Sequence, residues 1–462
     1  MNQTLGFPRP EVSAGNAEWD VHSTKLGSIV EGKYFEMLHM GFDMASPALS
    51  WSWSLVFWMV GSCVTAQVEY VPPSSGPGEW ETVDPDIALG WCGEGMDSLH
   101  GFLDARDTKA FIVLQGGRIA VEWYFDSFSQ DSLWYWASAG KVVTGALVGK
   151  AAGEGLLDLD ATTSEYLGEG WTNCPEAELG ITVRHQLTMT SGLDDDVNNR
   201  DCTVPSCLGC LEEPGERWAY HNGVYTLLTE VLSEATGMGQ NLFLATRINQ
   251  PIGTSMVYVP VGFNRVLYSR PRDMARFGLL ALRQGIWAGD TVIPPAYLAE
   301  AMNPSQELNL SYGHLWWLNG QPSYQVVTTQ MVLPGPLIPS APSDLVAGLG
   351  MNDQKLYVIP SSDRVIIRMG DDAGEGVLAG SSFDELLWQR LAALTASAWT
   401  CACNGDLNGD GLRSVADLIL LLGDFGCAEV TFPCETDLTG DGATNVSDVL
   451  ALLAGFGVPC TP

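Results

Sequence analysis

The chain has little positive charge and very little lysine. Its 462 residues carry 22 Lys and Arg against 55 Asp and Glu, a formal net charge of −33. So acidic a surface repels nucleic-acid phosphates and anionic lipid, and no nucleic acid is expected as a partner. Only four lysines follow residue 66: Lys109, Lys141, Lys150 and Lys355. Several chemical signatures are absent as well. No Gly-x-Ser-x-Gly occurs, which argues against the nucleophile elbow of an α/β-hydrolase. The six histidines show neither His-x-His nor His-Glu-x-x-His spacing, which argues against a zinc hydrolase. Cys207-Leu-Gly-Cys210 has no matching second pair, so a zinc knuckle is not expected.

What the chain does contain is ample apolar material. Hydrophobic residues make up 46% and charged residues 17%, enough for a large core and against global disorder. The length suggests two to four domains of about 100–200 residues. Eleven cysteines without metal-ligand spacing point to disulfides and an oxidising compartment. The uncharged run Ala48–Val64 has the length of a signal-peptide core and is short for a spanning helix. Val64-Thr-Ala66 before Gln67 has the small-x-small form of a cleavage site. Translation from Met37 or Met44 would place that run near a start. The alternatives are an uncleaved anchor, or a lipoprotein-like site at Val60-Gly-Ser-Cys63. Cleavage after Ala66 leaves ten cysteines and implies a secreted, periplasmic or cell-surface protein.

The expected organisation is therefore an extension with a signal-like segment at 1–66, an extended Pro/Gly/Ser leader at 67–89, a globular domain at 90–397 and a distinct module at 401–462. "KAFIVLQGGRIAVEWYF" (109–125) reads as two strands around Gly-Gly, and "QKLYVIPSSDRVIIRMG" (354–370) as two strands around a turn. "SFDELLWQRLAALTA" (382–396) has helical periodicity. Strands at both ends with helices between suggest an α+β layer domain whose terminal strands share one antiparallel sheet.

The last 60 or so residues repeat themselves at an offset of 31. Asp406, Asn408, Asp410, Leu412, Ser414 and Asp417 recur as Asp437, Thr439, Asp441, Ala443, Asn445 and Asp448. A twelve-residue calcium loop supplies oxygens from positions 1, 3, 5, 7, 9 and 12, with Gly at 6. Both copies fit that pattern, position 7 offering its backbone carbonyl and Gly411 and Gly442 standing at 6. Two Ca²⁺ ions are expected, the second held less well because Thr439 replaces Asn408. Cys403 matches Cys434 and Cys427 matches Cys460, so repeat symmetry suggests the pairs Cys403–Cys427 and Cys434–Cys460. That leaves Cys92, Cys174, Cys202, Cys207, Cys210 and Cys401 unassigned. The segment 403–460 resembles a dockerin, the paired calcium-loop module that docks onto cohesins. The resemblance implies a small all-α domain tethering the enzyme to a cohesin-like partner; the flanking cysteines depart from the common pattern.

Ser-x-x-Lys occurs once in the chain, as Ser138-Ala-Gly-Lys141 ahead of "VVTGALVGKAAG". On a helix, residues three apart share a face about 5–6 Å apart. A serine at the helix N-terminus sits in the positive end of its dipole, which favours an alkoxide. Partial burial lowers a lysine's pKa so that it takes a proton. The plain alternative is a capping serine beside a snorkelling lysine. Tyr220-His221-Asn222 arbitrates: in an extended segment residues i and i+2 point the same way, so Tyr220 and Asn222 face one cleft. The phenol is expected to have a lowered pKa and act as base, and Asn222 to orient the lysine or a substrate carbonyl. His185, His221 and His314 read as structural. Trp134, Trp136, Trp218, Trp316 and Trp317 would line an apolar cleft or belong to the core.

With those residues in place, the chain resembles the serine β-lactamase/penicillin-binding-protein superfamily. It is nearest the class C β-lactamases and their esterase and 6-aminohexanoate-dimer hydrolase relatives. The residues carrying the likeness are "WASAGKVVTGALVGKAAGEGLLDLD", "ITVRHQLTMTSGL", "WAYHNGVYTLLTEVLSEATG", "SRPRDMARFGLLALRQGIW" and "YGHLWW", and it covers about 90–395. It implies a transpeptidase-like antiparallel sheet flanked by helices, with a helical subdomain. Ser138 becomes the acylated nucleophile, Lys141 and Tyr220 the proton-transfer pair and Asn222 the helper. The backbone N–H groups of Ser138 and of a residue near Gln354 become the oxyanion hole. No cofactor is implied for catalysis.

Relatives carry Lys-Thr-Gly or His-Gly-Gly on the last core strand, where this chain has Met351-Asn352-Asp353. Methionine offers no cation for a substrate carboxylate and Asp353 would repel one, unless Lys355 or Arg368 compensates. The expected enzyme is thus a serine hydrolase of small neutral esters or amides. A β-lactamase, a D-alanyl-D-alanine carboxypeptidase and a non-catalytic binding protein on the same fold are the alternatives.

Overall fold

The computed structural model describes residues 70–73, 80–91, 93–197, 199–374, 382–395, 405–408, 412–428, 434, 436–439 and 442–457. The segment expected at 1–66 lies outside them, as do Cys92, Cys401, Cys403 and Cys460.

In chain order the elements used below are α1 (Gly93–Asp104), β1 (Thr108–Gln115), β2 (Arg118–Tyr124), β3 (Trp134–Tyr135), α2 (Lys141–Gly153), α3 (Asn222–Thr236), β4 (Val257–Val261), β5 (Asn264–Ser269) and α4 (Pro271–Leu282). They continue with β6 (Trp317–Leu318), β7 (Val346–Gly350), β8 (Gln354–Ile359), β9 (Arg364–Gly370), α5 (Ser382–Thr395), α6 (Val415–Gly423) and α7 (Val446–Ala454). The main sheet runs β2-β1-β9-β8-β7-β6, and every pairing in it is antiparallel. Gly116-Gly117, both at positive φ, close the β1–β2 hairpin. The first and last strands meet in register from Thr108↔Gly370 to Gln115↔Arg364, as the sequence pattern anticipates.

The sheet is buried on both sides. Every residue of β8 is buried, so this strand cannot alternate apolar with polar in the manner of a half-exposed one. Helix α4 lies on one face so closely that a Cβ on Gly278 would sit 2.5 Å from a Val365 methyl. Phe102 of α1 stacks on Phe383 of α5 at 5.9 Å. The leader is not wholly extended. Val83 N–H donates to Ile119 O on the β2 edge and Ile119 N–H donates to Glu81 O, Trp80 is buried, and Pro85–Leu89 is a short helix capped by Asp84.

Helix α2 is the centre of the helical half. Ten of its thirteen residues are buried, Lys141 among them. Gly145, Gly149 and Gly153 form a stripe along it against which the 294–315 segment packs. A Cβ on Gly149 would lie 2.2 Å from the Tyr297 ring. Gly149→Ala is therefore expected to lower unfolding free energy by about 1–3 kcal/mol, overpacking outweighing alanine's better propensity. Gly101 is exposed inside α1 with nothing within 4 Å of the added methyl. There the same change should stabilise by about 0.5–1 kcal/mol, so urea denaturation of the two variants should give opposite signs.

A satellite core of Trp171, Cys174, Ile181, Leu193, Leu208, Val224 and Leu227 supports α3 and is stapled by Cys174–Cys210. Cys202–Cys207 closes a short loop nearby. The tail pairing differs from that suggested by repeat symmetry. Cys427 bonds Cys434, because the connector after α6 folds back, with Ala428 bridging Ala443 and Thr444 N–H donating to Cys427 O. A loop closed over seven residues costs less entropy than a longer one.

Candidate active site

Ser138 lies one turn ahead of the expected position on an α-helix. It sits in a 3₁₀ turn, Ala137–Gly140, that feeds directly into α2. Ala137 holds a left-handed φ of 45°, a conformation that costs an alanine about 1–2 kcal/mol and sharpens the bend presenting the hydroxyl. Lys141, first residue of α2, reaches back so that its Nζ donates to Ser138 Oγ at 3.1 Å. The amine is 2% exposed. Burial pulls its pKa from 10.5 to about 7, with the field of Asp201 opposing.

Tyr220 precedes α3. Its hydroxyl lies close enough to Ser138 for the serine to favour its charged form, and its ring lies 5.0 Å from Lys141 Nζ. The expected lowered phenol pKa is not found: burial pushes it well above the ordinary range, Ser138 only partly offsetting this. Of the two candidate bases, Lys141 is the one whose unprotonated form is available near neutral pH. His221 is extended (φ −109°, ψ 102°), so Tyr220 and Asn222 do flank a residue of strand-like geometry. Its own ring turns away to cap α3, Nδ1 accepting the Val224 N–H at 3.3 Å. Asn222 opens α3, and its Oδ1 is buried without a hydrogen-bond partner.

The sheet edge beside Ser138 is β7. Strand β6 pairs only with Val346 and Ala347, leaving Gly348–Gly350 to run against the serine turn. A Cβ on Gly350 would fall 2.4 Å from the Trp136 carbonyl and 3.0 Å from Ala139 N, so only glycine fits. Gln354 is fully buried, and its side chain bridges the backbone of Gly370 and Asn352. Gly350, packed against the serine turn, stands directly opposite Gln354 in the ladder.

Met351-Asn352-Asp353 is a turn rather than a strand, with Asn352 and Asp353 at positive φ. Met351 is about half exposed, whereas Asp353 is fully buried and pairs with Lys355 at 3.1 Å. Lys355 also meets Asp384 at 2.7 Å. Arg368 donates to the Asp353, Arg106 and Asp371 carbonyls and to Thr108 Oγ1. Asp353 is thus neutralised inside the core instead of repelling substrate, and neither Lys355 nor Arg368 is available to compensate. What survives is that β7, Val-Ala-Gly-Leu-Gly, supplies no cation.

The tryptophans are mostly core: Trp136, Trp218, Trp316 and Trp317 are buried and Trp134 half-buried. Trp317 stacks on Tyr220 at 5.9 Å and backs the phenol. Sequence reading missed Thr144, Tyr225 and Tyr258, whose hydroxyls meet at 2.8 Å behind Lys141. The signal was available for two of them, Thr144 one turn beyond Lys141 and Tyr225 three residues beyond Asn222.

A serine and a lysine set between a helical lobe and the open edge of an antiparallel sheet define a hydrolase architecture. The chain belongs to the beta-lactamase family, whose model matches residues 101–375. The 6-aminohexanoate-dimer hydrolase of Paenarthrobacter ureafaciens is 20% identical over 332 residues, 62% of this chain and 78% of that protein. A solved structure from Bacillus anthracis, proposed to be a 6-aminohexanoate-dimer hydrolase, aligns with a TM-score of 0.53 at 20% identity, covering 70% of this chain and 88% of the other. A penicillin-binding-protein homologue from Caulobacter crescentus aligns at 0.51 and 14% identity, covering 67% and 98%. At these identities the structures share the fold. The disulfides are compatible with an extracellular protein, and no helix among the described residues is long and apolar enough to cross a membrane.

Proposed function

We propose that the protein is an exported serine hydrolase that cleaves neutral ester or amide bonds through an acyl-enzyme. The observation that carries this is the buried Lys141 amine 3.1 Å from Ser138 Oγ. Neutral Lys141 takes the Ser138 proton as Oγ attacks the substrate carbonyl. The Ser138 N–H and the Gly350 edge face the developing oxyanion. Tyr220, kept as a neutral phenol, passes a proton to the leaving alcohol or amine. The Lys141 ammonium reprotonates the Tyr220 phenolate; neutral Lys141 then takes a proton from the water that attacks the acyl-enzyme, and that proton passes to Ser138 Oγ as the acid departs.

Selectivity follows from β7. With no cation on the strand and Lys355 and Arg368 tied up in the core, a substrate carboxylate gains nothing there. A short-chain nitrophenyl ester should be turned over at least about tenfold more efficiently than a chromogenic cephalosporin, about 1.4 kcal/mol of transition-state preference. Comparable kcat/KM for the two would overturn the neutral-substrate reading.

The C-terminal repeat is proposed to bind two Ca²⁺ and dock onto a cohesin-like protein. Gly409, Asp410, Gly411, Gly440 and Asp441 lie outside the described residues, but the described ligand positions of both loops offer only oxygen donors, Leu412 and Ala443 through their carbonyls. Asp417 accepts the N–H groups of Leu407, Asn408 and Ser414, drawing position 12 onto the loop's start. Asp448 does the same with Leu438, Thr439 and Asn445. Gly442 N–H donates to Asp437 at 2.7 Å. Bound calcium would supply the charge that holds these carboxylates together. Ile419, Leu422 and Phe425 are exposed, as are their counterparts Leu450, Leu453 and Phe456, an apolar surface suited to a protein partner. Calorimetric titration of the full chain with Ca²⁺ should show binding that Asp406→Ala with Asp437→Ala removes. An absence of calcium-dependent heat would refute the module's role.

A further inference from the structure

Lys141 is an ammonium-forming group buried without an acid beside it. Among the described residues no carboxylate lies within ion-pair distance of its Nζ; Asp201, just ahead of the loop closed by Cys202–Cys207, acts on it only through its field. What the amine does meet are two aromatic faces. The Tyr225 ring centroid is 4.3 Å from Nζ and that of Tyr220 is 5.0 Å. Tyr225 is itself fixed. Its hydroxyl lies 2.8 Å from Thr144 Oγ1, which lies 2.8 Å from the Tyr258 hydroxyl, which in turn donates to the Gly140 carbonyl at 3.5 Å. This chain of hydroxyls joins α2, α3 and β4 and leaves the Tyr225 ring little freedom to leave the amine.

We propose that Tyr225 is a positioning residue whose ring face, with that of Tyr220, holds the Lys141 amine against Ser138 in place of a carboxylate. The physical reason is a matter of strength. A carboxylate in contact would fix the charge on the amine and abolish its use as a base. No partner at all would leave a buried cation that swings away or is lost. An aromatic face attracts the cation more weakly, steadying the side chain while still letting it be neutral near physiological pH. Tyr225 touches no reacting atom; its effect runs through Lys141.

The inference rests on Lys141 acting as the base. That base works when neutral, so kcat/KM should rise with pH through the Lys141 midpoint near 7. The titratable and charged groups facing it are Tyr220, Tyr225, Tyr258 and Asp201. The scarcity of lysine provides a direct readout, because [ε-¹³C]lysine labelling gives few resonances to assign. Lys141 is expected to titrate near pH 7 in the wild-type chain. Tyr225→Phe, which keeps the π face, should leave that midpoint within about 0.2 unit. Tyr225→Met keeps the bulk without the face, and should lower it by about half a unit or more, the rising limb of kcat/KM moving with it. Should the Met variant fail to fold, Tyr225→Leu, which also removes the face, is expected to shift the midpoint in the same direction. A midpoint that stays or rises on loss of the face overturns the proposal. The spectrum does not depend on turnover, so a chain that titrates as expected yet hydrolyses nothing would instead sink the hydrolase reading.

Discussion

Ser138→Ala should abolish covalent labelling by a fluorophosphonate and lower ester turnover by at least about 10³-fold. The hydroxyl is the group that forms the acyl bond, and its partner is already in place, Lys141 Nζ donating to Oγ across 3.1 Å. Alanine removes one atom from a turn whose shape is set elsewhere, by Ala137 at positive φ and by the backbone bond from Ala139 N–H to Trp136 O. The variant should therefore melt with the wild type, within about 2 °C, which separates loss of chemistry from loss of fold. The wild-type chain is the decisive control. A non-catalytic binding protein on this fold would keep the sheet and the cleft yet leave the serine unreactive. If intact wild-type protein resists the probe under conditions that label a known serine hydrolase, the binding-protein reading replaces the enzyme.

Much of this was legible along the chain because it depends on local pattern. The two hairpins announce themselves through Gly116-Gly117 and Pro360-Ser-Ser-Asp363, and their strands pair as the fold class requires. Ser138, Lys141 and Tyr220 meet because helix spacing brings the first two together and one long-range packing contact brings the third. What could not be read is the partner each charge finds in three dimensions. Asp353 looked like a repulsive carboxylate at the cleft; it is buried in the core, where Lys355 on the following strand pairs with it. An oxyanion-hole donor was expected near Gln354; Gly350, directly opposite it in the ladder, is the residue packed against the serine turn. Cysteine pairing failed for a related reason. Repeat symmetry equates positions in sequence, but the Cys427–Cys434 bridge forms across the connector, the one part the repeat does not duplicate.

Tyr220→Phe isolates the second half of the proton path. The substitution keeps the ring that stacks on Trp317 at 5.9 Å and the face 5.0 Å from Lys141 Nζ. It removes the hydroxyl that interacts with Ser138. Because burial keeps that phenol protonated, its work is to relay a proton to the departing group rather than to draw one from serine. Acylation should therefore fall by about 10²–10⁴-fold, and most for substrates with poor leaving groups, since a nitrophenolate departs without needing a proton. The rising limb of the pH profile should stay near 7, because Lys141 is untouched; Lys141→Met, by contrast, should remove the limb altogether. Lys141→Met should also raise the melting temperature, since a lysine whose pKa is depressed on folding destabilises the native state below its unfolded value of 10.5. Near-wild-type acylation of an alkyl ester by the phenylalanine variant would show instead that Lys141 performs both transfers, with Tyr220 serving only as its aromatic floor.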